Sequence, residues 1–217
     1  MSKRTANIFD TVINLGIVLC TVAAVGYYFV PGLPAYGLTG TTCFRYFTTD
    51  SNVLLGITCL IMLVFNIRNL IHPEKSIPRA VYLIKLVGTV STTVTMLTVV
   101  FFLGPMAAAK GGIHSYLNFF RTNVFVLHLS NPVLAIVSFL FFEKSGRFDL
   151  RSTLWTLSPT VVYSLVYLTE VIFTHKWPDF YGFTFGGNYS VAPISLIVMY
   201  LVTWVIGLVL NRLKKAN

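Results

Sequence analysis

Six apolar runs, each long enough to cross a bilayer, limit what this chain can fold into more than any other feature of it. They cover about Ile8–Val30, Tyr46–Leu70, Pro78–Pro105, Phe119–Phe142, Ser152–Thr174 and Ser190–Leu210. A hydrocarbon core of about 30 Å takes roughly 20 residues of helix to cross. Lipid offers the backbone no hydrogen bonds, so each run is expected to close its own as an α-helix. Only 11% of the 217 residues are charged, against roughly a quarter in soluble domains, and the mean hydropathy is +0.76. The alternating segments of about ten residues that mark a transmembrane β-barrel do not occur. The expected fold is all-α: a polytopic membrane protein of six transmembrane helices, forming a single domain over residues 1–217.

Turn signals separate the runs. Pro31-Gly32-Leu33-Pro34 ends the first, His72-Pro73-Glu74-Lys75 follows the second, and Gly104-Pro105 is expected to stop the third. The basic residues are distributed by side. Lys3, Arg4, Arg68, Lys75, Arg79, Lys144, Arg147, Arg151, Arg212, Lys214 and Lys215 fall on one face, while Arg45, Lys110, Arg121 and Lys176 fall on the other. Short loops rich in Lys and Arg stay in the cytoplasm, so both termini are expected there, in a cell membrane. The same rule accounts for the net charge of +9 without nucleic acid as a partner. The first run is too long for a secretory signal and lacks a clear cleavage site, so it is expected to remain as a helix.

Cys20, Cys43 and Cys59 form no CxxC pair, and Cys20 and Cys59 sit in apolar runs as small hydrophobes. The four histidines have no ligand spacing such as HExxH, so no metal or other cofactor is expected. A haem or metal site built from His128 with His114 or His175 is the weakest alternative.

The chemistry must lie in the polar residues of the runs. Thr48, Thr49, Asp50 and Asn52 open the second; Arg121, Asn123, His128 and Asn131 lie in the first half of the fourth; Glu170 and His175 end the fifth. Alternating helix direction brings all three groups to one leaflet. Positions three, four and seven apart share a helical face, so Thr48 aligns with Asn52, and Arg121 with His128 and Asn131. Asp50 points elsewhere and is expected to pair with Arg45 or Arg121; Glu170 is expected to pair with His175 or Lys176. For Ser91, Thr92 and Thr93, bonding to their own helix is the default. Lys85 is expected to snorkel to the cytoplasmic surface, Asn131-Pro132 to kink its helix, and Trp177, Tyr181 and Tyr189 to join the interfacial aromatic belt.

Arg45-Tyr46-Phe47-Thr48, His128 followed by Pro132, and Trp177-Pro178-Asp179-Phe180-Tyr181 together resemble the androgen-induced protein family. That family includes the androgen-dependent regulator of tissue factor pathway inhibitor, and the likeness is closest to its bacterial six-helix branch. The animal members are multipass threonine hydrolases that cleave fatty acid esters of hydroxy fatty acids. The resemblance implies a membrane lipid or fatty acid ester as substrate, Thr48 as nucleophile and His128 as its base. A hydroxyl needs such a base within hydrogen-bond reach. Helical faces add Asn52 or Asn131 as oxyanion donor or imidazole-orienting group, and Arg121 as a carboxylate holder at the rim. If Arg45 and Arg121 both mark the interface, Thr48 and His128 are expected to differ in depth by roughly 6 Å. The other main reading is a small-molecule carrier or lipid-binding protein whose polar site is Asp50, Arg121, His128 and Glu170.

Overall fold

The structure is a computed structural model that describes residues 2–33 and 38–214; Pro34 of the first turn signal and Lys215 of the basic tail lie outside them. Among the described residues six helices are long and apolar enough to cross a membrane: α1 (Lys3–Phe29), α2 (Phe47–Ile71), α3 (Arg79–Phe120), α4 (Thr122–Phe142), α5 (Leu150–Phe173) and α6 (Tyr189–Leu213). No strand occurs among the described residues. Around an apolar core that includes Leu55, Leu86 and Phe139, the outer surface of the bundle is apolar as well and polar side chains are also taken inside. Val22, Val162, Leu165 and Phe173 are exposed, whereas Asn14, Asn52, Thr92 and Asn131 are buried, as a lipid solvent requires.

α1 packs along α2, and α2 along α3, which lies at the centre of the bundle. The α2–α3 approach is close because Gly88 has no side chain: a Cβ there would stand 2.6 Å from Thr58 Oγ1 and 3.2 Å from the Leu55 backbone. Small residues let membrane helices meet in this way. The threonines of α3 follow the default, since Thr89, Ser91, Thr92 and Thr93 each donate to a carbonyl four residues back.

Pro105 does not end the third helix. A proline has no N–H for the carbonyl four residues before it, here Phe101. The turn Val99–Leu103 opens to a π turn, in which the Gly104 N–H reaches the Val99 carbonyl, and helix continues beyond Pro105. The break comes instead at Gly111 and Gly112, the latter at φ 73°, a left-handed conformation suited to glycine. The chain beyond folds back so closely that a Cβ on Gly104 would lie 2.3 Å from the Tyr116 ring. Pro132 has the same effect in α4. The carbonyl it deprives is that of His128, and Val126–Ser130 is likewise a π turn.

At the end of the bundle that holds both termini, Lys85 does not snorkel. It is 0% exposed; its Nζ donates to Asn14 Oδ1 (2.5 Å) and Cys59 Sγ (3.1 Å) and lies 3.7 Å from Glu143 Oε1. Cys59 is therefore a polar contact and not merely a packed hydrophobe. Asp10 belongs to the same network, accepting from Ser138 Oγ at 2.5 Å and Asn66 Nδ2 at 2.6 Å. Four spans and the segment after α4 are tied together there.

Candidate active site

At the opposite end, Thr48 is the second residue of α2, and its hydroxyl lies 3.5 Å from His128 Nε2. The expected offset in depth does not keep the two side chains apart, and Arg121 is extended, outside the helix that begins at Thr122. The π turn then turns His128 inward to a buried position. His128 Nδ1 is 2.7 Å from the Phe119 carbonyl. A carbonyl only accepts, so Nδ1 carries the ring proton and Nε2 presents its lone pair to Thr48. The fold-back after Gly112 brings that carbonyl into place; nothing in the spacing of His128 announces it.

Beneath the pair, Asn52 Nδ2 donates to the Thr48 carbonyl (2.8 Å) and the Leu127 carbonyl (2.9 Å), bridging α2 to α4 beside Thr48 and His128. Asn131 Nδ2 donates to Asn52 Oδ1 and to Thr21 Oγ1, both at 3.0 Å. These amides have their donors engaged, so neither orients the imidazole nor faces an oxyanion. They set the register of the helices that carry Thr48 and His128.

The start of α2 is fixed from above. Tyr181 turns inward instead of joining an interfacial belt, and its hydroxyl accepts the Phe47 N–H at 3.0 Å; Tyr163 Oη donates to the Arg45 carbonyl at 2.6 Å. The loop that carries Tyr181 is organised by Asp179, whose carboxylate accepts from Tyr167 Oη, the Phe183 and Thr184 N–H groups and the Thr184 hydroxyl. Burial pushes the Asp179 carboxyl up, but the hydrogen bonds from Thr184, Tyr167 and Phe183 outweigh it and hold the group below the usual carboxylate range.

The other expected site residues do not converge on Thr48. Asp50 makes no ion pair among the described residues; it sits in the first turn of α2, where the helix dipole favours an acid. Arg121 is exposed at the rim and off the face of His128. Glu170 pairs with neither His175 nor Lys176: its Oε2 accepts from Thr174 Oγ1, and its carbonyl accepts the Lys176 and Trp177 N–H groups. His114 and His175 are exposed. Among the described residues no three His, Cys, Asp or Glu side chains gather as metal ligands would.

Two cavities meet at Thr48. One of about 770 Å³ is lined by apolar residues of α3 and α6. The other, about 460 Å³, is lined by His128 with Lys110, Asn118 and Tyr28. Neither is lined by Asp50, Arg121 or Glu170. No protein-family model, curated protein or solved structure matches the chain.

Proposed function

We propose that the protein is a hydrolase of lipid esters that works within the membrane, with Thr48 as nucleophile and His128 as base. The observation that carries this proposal is the Thr48–His128–Phe119 carbonyl alignment at the junction of two cavities. His128 Nε2 takes the hydroxyl proton as Thr48 Oγ1 attacks the ester carbonyl. The alcohol leaves with that proton, and water drawn in by the same imidazole releases the acid. The Thr48 N–H lies in the first turn of α2, where helix geometry supplies few acceptors, and is assigned here as the donor for the developing oxyanion. The 3.5 Å separation tightens when substrate displaces solvent, as catalytic hydrogen bonds do on binding.

The proposal includes orientation. Arg68, Arg147 and Arg212 crowd the end with both termini, which is the cytoplasmic end, so Thr48 works near the outer leaflet. The family resemblance extends this to a bacterial cell membrane and to fatty acid esters.

Labelling by a fluorophosphonate probe in liposomes tests the assignment. Wild type and Thr48→Ser label, Thr48→Ala does not, and His128→Ala labels roughly a hundredfold to ten-thousandfold more slowly, the usual contribution of a general base. Undiminished labelling of Thr48→Ala removes Thr48 as nucleophile.

A further inference from the structure

Thr48 lines both cavities, whereas His128 lines only the smaller one. We propose that the two cavities divide the ester: the acyl chain occupies the larger cavity between α3 and α6, and the alcohol part leaves through the smaller, His128-lined one. This assignment rests on the hydrolase reading of Thr48 and His128.

The chemistry decides the direction. When the Thr48 Oγ1–acyl carbon bond forms, the hydroxyl proton passes to His128 Nε2. When the bond from the acyl carbon to the alcohol oxygen breaks, that oxygen takes the same proton back. The leaving oxygen must therefore lie on the His128 side of Thr48. The acyl substituent stays bonded to Thr48 through the intermediate and needs the other space, the larger cavity.

The walls of that cavity suit a hydrocarbon chain. Thr95, Thr160 and Ser195 line it, but each hydroxyl donates to a backbone carbonyl, which leaves carbon facing the space. Along α6 the lining residues Val191, Ile194, Ser195, Val198, Met199 and Val202 recur at three- and four-residue steps, a single helical face. From Val191 to Val202 the stripe is roughly 16 Å long at about 1.5 Å per residue. That is about half of a hydrocarbon core of about 30 Å, the depth of one leaflet. Phe101, Ile194 and Val198 are 74%, 63% and 54% exposed, so the cavity opens sideways to the acyl chains of the bilayer. The smaller cavity offers Lys110, Ser115 and Asn118 to a more polar alcohol part.

The test uses the full chain in liposomes with esters in which acyl length and alcohol size vary independently. Val198→Trp fills the larger cavity part-way down; it is expected to cut kcat/KM for long-chain acyl esters at least tenfold and leave acetyl esters unchanged. Val202→Trp, roughly 6 Å deeper, moves the cutoff to longer chains. Ala107→Trp in the smaller cavity is expected to discriminate by alcohol size and not by acyl length. The reverse pattern, or an unchanged acyl-length profile in both tryptophan variants of α6, overturns the assignment. A diazirine-bearing fatty acid separates this from the hydrolase reading. In Thr48→Ala it is expected to crosslink to α3 and α6 and to be blocked by Val198→Trp, whether or not wild type hydrolyses any ester. Crosslinks confined to other helices overturn the acyl site even if hydrolysis is observed. Crosslinks at α3 and α6 without hydrolysis in wild type keep the acyl site and discard the nucleophile.

Discussion

Replacing Lys85 with methionine keeps the length and volume of the side chain and removes its charge and donors. The consequences follow from its surroundings. At 3.7 Å from Glu143 Oε1, the charge pair is worth about 4.5 kcal/mol at an effective dielectric of about 20. Asn14 Oδ1 also loses its 2.5 Å donor, and an unpaired buried acceptor costs about 1–3 kcal/mol. Against this stands the desolvation of the ammonium itself, which the variant no longer incurs. Removing one partner of a buried pair costs about 3–5 kcal/mol net, and that is the loss expected for Lys85→Met. The double variant Lys85→Met/Glu143→Gln leaves no uncompensated charge from this pair and is expected to recover at least half of it. Unfolding in mixed micelles, followed by helical circular dichroism, measures both. A loss below about 1 kcal/mol in the single variant, or no recovery in the double, shows that the network does not hold this end of the bundle together.

Two further outcomes follow from the far end. Asn52→Leu removes the amide that bridges the carbonyls of Thr48 and Leu127. Probe labelling is expected to fall at least tenfold with helical content unchanged, and labelling at the wild-type rate discards the positioning role. The Asp179 carboxyl is held below its unfolded value, so its stabilisation of the 174–188 loop is present above that value and is lost as pH falls through the folded one. Cleavage of this loop by an acid-tolerant protease should rise as pH is lowered below the usual carboxylate range. Asp179→Asn should be cleaved readily at neutral pH and show little further change.

The six spans were legible because the constraint behind them is coarse: a run of apolar residues in lipid has few alternatives to helix. The error at Pro105 is instructive. In water a proline after glycine is a sound stop signal, but here the π turn Val99–Leu103 absorbs the missing donor and the helix goes on. Thr48 and His128 were legible as polar residues in apolar runs, and the resemblance to a threonine hydrolase family singled them out from their neighbours. What holds them was not. The Phe119 carbonyl is backbone, identical in every residue type, and only the fold-back after Gly112 directs it at His128. The π turn before Pro132 also invalidated the simple face count that had grouped Arg121 with His128. Charge was misread for a related reason. Lys85 looked free to snorkel because snorkelling considers one helix and its distance to the interface, whereas Asn14, Cys59 and Glu143 come from three other parts of the chain. Local rules thus pick out the polar residues within the apolar runs, and contacts between distant segments decide which of them meet.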